Sequence, residues 1–130
     1  MRWLMMLSVL TLVAVGLPVS AARAAKPQAA GPDEVSFTKH VAPILVRRCQ
    51  GCHGAEKSKS DYRLDTFERL MKPGSSETPP VKAGKPTDSE IYRLIVAEHE
   101  EDRMPQKADP LPLEEITIIE RWIREGAKQN

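Results

Sequence analysis

The chain has two cysteines, and both lie in the run CQGCH at positions 49–53. This spacing, with a histidine directly after the second cysteine, is typical of covalent haem attachment. Two cysteines three positions apart, on a turn that leaves a helix, can each reach one vinyl group on the same edge of a porphyrin. The following residue is then delivered to the iron. The motif therefore predicts one haem c, attached through Cys49 and Cys52, with His53 as an iron ligand.

Two glycines in and beside this motif fit the same interpretation. Gly51 would keep the bridge between the two cysteines free of side-chain bulk. Gly54 would let the chain turn away from the plane of the ring.

Three other uses of such cysteines stay open from the residues alone. A structural zinc site usually needs four protein ligands, and outside the motif only His40, His99 and carboxylates are left to supply the fourth. A thioredoxin-like CxxC normally lies near a βαβ pattern, and no strand pattern is visible. A plain Cys49–Cys52 disulfide would need an oxidising compartment. Haem attachment is the interpretation that the motif favours.

The second axial ligand decides what such a haem can do. A thioether ligand raises the potential of the iron and leaves no position open for a substrate. Outside residues 1–24 the sulfur candidates are Met71 and Met104, and the nitrogen candidates are His40 and His99. Met71 shares an apolar helical stripe, which favours packing. Met104 lies in a charged stretch before the last helix, with no apolar periodicity, which favours ligation. His99 stays an alternative ligand, and His40 is interpreted as a surface or capping residue.

The N-terminal segment, residues 1–24, has the features of a secretory signal. Arg2 gives a minimal positive start, an apolar run extends from Trp3 to Val19, and Ala22-Arg23-Ala24 matches the A-x-A cleavage pattern. The alternative is an uncleaved anchor, because the run is about as long as the shortest membrane-spanning helices. We therefore predict export to the periplasm, with membrane association only if the signal is retained.

Apolar residues recur at helical spacing in four segments, at about 36–50, 66–72, 88–99 and 113–126. Pro43 must lie in the first turn of the first helix or kink it. Asp65 is the expected N-cap of the second helix, and Thr87 with Glu90 forms a capping box for the third. Gly126 is a natural terminator of the fourth helix.

The connections complete the predicted architecture. A long loop from Pro73 to Pro86 contains four prolines, and a loop of this size in a small domain is usually functional or wrapped around something. No segment alternates convincingly as a strand. The prediction is one all-α domain, residues 36–130, wrapped around one covalent haem and preceded by a flexible lead-in at 25–35. A domain of this size often needs a cofactor, metal or disulfide for stability.

These motifs together resemble the planctomycete-type cytochrome c domain, a relative of class I cytochromes c. The resemblance covers about residues 37–127. It rests on Phe37, Val41-Ala42-Pro43-Ile44-Leu45, Cys49-Gln50-Gly51-Cys52-His53-Gly54, Arg63-Leu64-Asp65-Thr66, Gly84-Lys85-Pro86 with Ser89, Met104-Pro105, Trp122-Ile123 and Gly126-Ala127. It implies an all-α fold around one haem, with His53 and Met104 as the axial pair. Tyr62 and Gln106 depart from the family pattern, since a glycine-leucine-type turn and a second proline are expected there.

Charge is unevenly placed along the chain. Residues 39–63 carry a net charge of +4 and residues 88–103 a net charge of −4. These runs are either solvated helix faces or a basic rim that steers an acidic redox partner. Arg63 could also pair with a haem propionate. The chain lacks the strong excess of basic residues that would indicate nucleic-acid binding.

The predicted function is electron transfer by a soluble carrier, without catalysis, to a redox partner protein that the sequence does not identify. The alternatives are a haem enzyme or ligand sensor with an open or labile sixth position, and a domain without haem in which the cysteines are structural. The three hypotheses predict different spectra. A carrier has low-spin iron with a strong sixth ligand, an enzyme or sensor has a high-spin component, and a domain without haem is colourless.

Overall fold

The computed structural model describes residues 34–130. Four helices follow one another along this part of the chain: α1 (Ala42–Arg48), α2 (Phe67–Leu70), α3 (Glu90–Ile95) and α4 (Leu113–Arg124). A π-helical turn at Phe37–Val41 leads into α1, and 3₁₀ turns lie at Lys59–Asp61 and Pro86–Asp88. Residues 34–130 contain no strand, in agreement with the all-α prediction, and none of their helices is long and apolar enough to cross a membrane. The predicted signal and positions 25–33 of the lead-in lie outside the described residues.

The first and last helices form where the apolar periodicity predicted them. Pro43 is the second residue of α1, where its missing N–H removes no hydrogen bond from the helix. On α4, the side chains of Ile119, Trp122 and Ile123 are buried. Gly126 follows this helix with a φ of +106°, a left-handed conformation that glycine adopts without steric cost.

The predicted caps of α2 and α3 are wrong. Thr66, rather than Asp65, caps α2, because its hydroxyl accepts a hydrogen bond from the N–H of Arg69 at 3.2 Å. The Asp65 carboxylate is instead bound by Arg63 through two hydrogen bonds of 2.9 and 2.7 Å. Thr87 lies in the 3₁₀ turn before α3 and does not cap the helix. As a result, α3 begins later than the pattern predicted, and it also ends earlier, at Ile95.

Ser89, directly before α3, ties the proline-rich loop to that helix. It is fully buried. Its hydroxyl accepts from the N–H of Lys82 at 2.8 Å and donates to the carbonyl of Lys85 at 2.9 Å. The N–H of Glu90 also donates to the carbonyl of Pro79. The long loop therefore packs against α3.

The core lies between α1, α3 and α4. Its buried apolar residues are Val35, Val41, Ile44, Leu45, Leu64, Leu70, Val81, Ile91, Ile95, Leu111, Ile119, Trp122, Ile123 and Ala127. Phe37 and Phe67 pack on Trp122, with ring centroids 5.4 and 6.3 Å away. Val35 belongs to this core although it falls at the end of the predicted lead-in, because its N–H donates to the Glu125 carboxylate at 2.7 Å.

Candidate functional site

The CxxCH motif forms a tight turn at the carboxyl end of α1. The N–H of Cys49 donates to the carbonyl of Leu45 at 2.9 Å, which continues the helical pattern by one residue. The N–H groups of Cys52 and His53 both donate to the carbonyl of Cys49, at 3.1 and 3.0 Å. Both cysteines are free thiols and partly exposed. The turn thus brings the two thiols and the imidazole together without a disulfide.

The structure requires glycine at position 54 but not at position 51. A Cβ atom at Gly54 would lie 2.6 Å from the carbonyl oxygen of Gln50, whereas a Cβ at Gly51 would meet no protein atom within 4 Å. Gly54 therefore allows the close backbone approach that directs the chain away from the motif.

The imidazole of His53 is held by Tyr62. Its Nδ1 atom lies 3.2 Å from the carbonyl oxygen of Tyr62, and the two rings have centroids 5.5 Å apart. Because a carbonyl oxygen only accepts, the neutral imidazole must carry its proton on Nδ1. The lone pair of Nε2 is then available to a metal. Hydrogen bonding of the second ring nitrogen is how protein histidines are usually oriented as metal ligands.

Two clefts meet at the motif, with cavity volumes of about 70 and 150 Å³. They share four lining residues: Cys49, His53, Ile95 and Met104. The first is also lined by Arg48, Cys52, Lys59, Pro105, Gln106 and Leu111. The second is also lined by Ser60, Tyr62, Leu64, Gly74, Ser76, Pro80, Glu90, Ile91 and Leu94. The clefts therefore combine sulfur and nitrogen donors with apolar side chains from α3 and its flanking loops.

Among the four candidates for a second axial ligand, Met104 alone lines these clefts. The Met104 backbone N–H donates to the carbonyl of Leu94 at 3.0 Å, which fixes the loop against the end of α3. Met71 packs against the apolar core. His99 is exposed, and the Nδ1 atom of His40 accepts a hydrogen bond from the N–H of Ser36 at 3.0 Å. The structure thus brings Met104, and neither of these histidines, to the clefts that His53 lines.

The donor set fits a haem better than zinc or dithiol redox chemistry. Burial raises the pKa of the Cys49 thiol to about 11, so this sulfur lacks the thiolate character of a redox cysteine. Among residues 34–130, no group of three or more His, Cys, Asp and Glu side chains is arranged to hold a metal ion, as the zinc alternative would require. Two unpaired thiols, an oriented imidazole and a thioether around an apolar cleft are the groups that a c-type haem needs.

The charged side chains around the clefts divide into paired and unpaired groups. Arg47 and Arg48 both bind Glu115 on α4, at 3.3 and 2.9 Å. Arg63 is held by Asp65, so the propionate contact suggested for Arg63 competes with an ion pair already present in this structure. Lys59 lines the first cleft and, like Lys57, forms no ion pair within residues 34–130.

A CxxCH motif at the end of a helix, in an all-α domain, is typical of a c-type cytochrome. Residues 49–107 match the family model described as Planctomycete cytochrome C, which supports a planctomycete-type cytochrome c domain in this part of the chain and implies haem c as its cofactor. The match includes the motif and Met104 and is narrower than the resemblance over 37–127. No curated protein and no solved structure gives a significant match to the chain.

Two features of the site were not predicted from the sequence. The carbonyl of Tyr62 contacts His53, and a backbone carbonyl leaves no signal in residue type. Glu115, near the start of α4, binds the two arginines that end α1, a contact between two helices that no local pattern predicts. The adjacent arginines at the end of a helix were the one visible hint of an acidic partner.

Proposed function

We propose that this chain is an exported mono-haem electron carrier whose iron is ligated by His53 and Met104. The observation that supports it is that His53 and Met104 line the same two clefts, together with the haem-attachment residue Cys49. These residues are separated by 51 positions along the chain, and the fold brings them to one site. Export is proposed from the N-terminal signal pattern, because covalent attachment of haem takes place outside the bacterial cytoplasm.

Each of the four residues has a distinct part in this proposal. Cys49 and Cys52 hold the haem through thioether bonds, so the cofactor is retained in both oxidation states. His53 supplies Nε2, and the carbonyl of Tyr62 holds the imidazole in the required tautomer. Met104 supplies a soft sulfur that favours the reduced state. The haem, when bound, supplies a one-electron iron couple.

An electron carrier needs an exposed edge and no vacant iron position. Cys52 is only partly buried, and Gly51 beside it is exposed, so the attachment edge is accessible to a partner. With both axial positions filled by protein, no position is left for a substrate, which is why we propose no catalytic activity. The unpaired lysines at 57 and 59 favour a small acidic redox protein as the partner.

The proposal is tested by replacing the two methionines in the same way. Met104→Leu should lose the near-infrared sulfur-to-iron band, lower the reduction potential and open the iron to carbon monoxide. Met71→Leu is the matched control, because the same change is made in a methionine that packs against the core. A reduced-minus-oxidised spectrum with a pyridine haemochrome assay on the periplasmic fraction establishes haem type and compartment.

Three results would contradict parts of this proposal. A colourless protein would eliminate the haem. A wild-type protein with a high-spin component and rapid carbon monoxide binding would favour the sensor or enzyme alternative. An unchanged near-infrared band in Met104→Leu would assign the sixth ligand to another residue.

A further inference from the structure

The side-chain amide of Gln106 closes the loop that carries Met104. We propose that Gln106 is a positioning residue, which keeps the Met104 thioether at the cleft by tying the chain on both sides of it. This inference rests on the proposed ligation by Met104 and adds the device that holds the ligand in place.

The contacts of the amide are specific to its nitrogen. The Nε2 atom of Gln106 donates to the carbonyl of Glu101 at 2.9 Å and to the carbonyl of Arg103 at 3.0 Å. An amide nitrogen carries two hydrogens, so each carbonyl receives one. The carbonyl of Arg103 belongs to the peptide bond that joins Arg103 to Met104. The amide is therefore hydrogen-bonded to the backbone directly before the proposed ligand.

The backbone provides no substitute for these bonds after Met104. Before it, the chain is fixed by the Met104 N–H on Leu94 and by the Arg103 guanidinium, which donates to the carbonyls of Ala97 and Glu98 at 3.4 and 3.3 Å. Pro105 has no N–H to donate. Apart from a local turn at positions 106–107, no backbone N–H from position 106 to 111 donates to a backbone carbonyl elsewhere in the described residues. Within residues 34–130, the Gln106 amide is thus the hydrogen-bonding tie on this side of the ligand.

The position of Gln106 links this tie to the site. Gln106 lines the first cleft together with Met104 and Cys52. Its side chain is exposed, so water competes for the same carbonyls, and each bond makes only the modest net contribution of an ordinary protein hydrogen bond. The two hydrogen bonds shift a local equilibrium between a loop conformation that holds Met104 at the cleft and one in which Met104 has moved away from the cleft.

The experiment measures that local equilibrium in the ferric holoprotein. Imidazole competes with Met104 for the iron, and its binding is followed by loss of the near-infrared sulfur-to-iron band. Gln106→Ala and Gln106→Glu both remove the donor, and Glu keeps the shape of the side chain. Both variants should bind imidazole about tenfold more tightly than the wild type, as expected for the loss of one or two such hydrogen bonds.

Thr66→Ala is the control for a merely structural effect. It removes the N-cap hydrogen bond of α2 and should lower global stability without changing imidazole affinity. Equal shifts in Thr66→Ala and the Gln106 variants would overturn the positioning role. Unchanged affinity in both Gln106 variants would overturn it as well, while a wild-type near-infrared band would leave Met104 ligation standing. A wild-type protein without that band would overturn both proposals.

Discussion

The carbonyl oxygen of Tyr62 and the Nδ1 atom of His53 lie 3.2 Å apart, while the rings of the same two residues pack with centroids 5.5 Å apart. Tyr62 thus contacts the proposed iron ligand through both its backbone and its side chain. Tyr62 is itself anchored, because its hydroxyl donates to the carbonyl of Leu70 at 3.0 Å. Burial raises the pKa of this phenol well above its usual value, so the hydroxyl stays protonated and remains a donor.

Removing the Tyr62 hydroxyl should destabilise the protein without releasing the haem. Tyr62→Phe keeps the ring on His53 and deletes the bond to Leu70, so the free energy of unfolding should fall by about 1 kcal/mol. Urea unfolding measures the change. Tyr92→Phe is the control, because the Tyr92 hydroxyl makes no hydrogen bond within residues 34–130. An equal loss in both variants would show that the Leu70 contact contributes nothing specific.

The two glycines of the haem motif should respond differently to alanine. At Gly54 the added Cβ lies 2.6 Å from a backbone oxygen, which cannot yield as a flexible side chain would, whereas at Gly51 it meets open space. Gly54→Ala should lower the free energy of unfolding by about 1–3 kcal/mol and reduce the yield of haem-loaded protein. Gly51→Ala should leave stability near the wild-type value. The reverse order would contradict the turn geometry described here.

The ion pairs of Glu115 predict a dependence of stability on pH. Burial alone would raise the pKa of Glu115, but hydrogen bonds from Arg48 and Arg47 lower it below its usual value of 4.5. The charged form is therefore favoured by folding. Its contribution is complete above the pKa of the unfolded chain and is lost as the pH falls through the lower, folded value.

Glu115→Gln tests this dependence because it keeps the side-chain shape and removes the charge. The variant should unfold at lower temperature than the wild type at neutral pH, and the difference should shrink as the medium is acidified below about pH 4.5. Thermal unfolding across this range measures it. A difference that stays constant with pH would mean that the Glu115 charge is not the cause.

Lys57 and Lys59 should accelerate electron exchange with an anionic reagent. The Lys57→Gln/Lys59→Gln double variant should react with hexacyanoferrate a few-fold more slowly than the wild type at low ionic strength, and the difference should vanish in concentrated salt. Stopped-flow measurement of the second-order rate constant gives the comparison. The Lys39→Gln/Lys72→Gln double variant is the charge-matched control, since both lysines are exposed and line neither cleft. A loss of rate independent of salt would argue against electrostatic steering.

The sequence predicted local features well where one physical requirement dominated. The apolar stripe of α4 was correct because Ile119, Trp122 and Ile123 have no competing role. The caps of α2 and α3 were wrong because other partners were available. Arg63 binds the Asp65 carboxylate, and the loop before α3 follows the hydrogen bonds of Ser89 rather than the Thr87 capping pattern. A sequence pattern indicates which hydrogen bonds a residue can form, but the tertiary structure determines which of them does form.

The sequence by itself determined the haem-attachment class of this protein, because the spacing of Cys49, Cys52 and His53 is local and a single turn realises it. Only the tertiary structure decided which candidate ligand shares a cleft with His53, since that pairing depends on where α3 and its following loop lie relative to the turn after α1. It also placed the Tyr62 carbonyl against the His53 imidazole and the Gln106 amide against the carbonyls of Glu101 and Arg103. The acceptors in these contacts are backbone carbonyl oxygens. Because every residue carries one, the residue types in the sequence do not reveal which carbonyl is used.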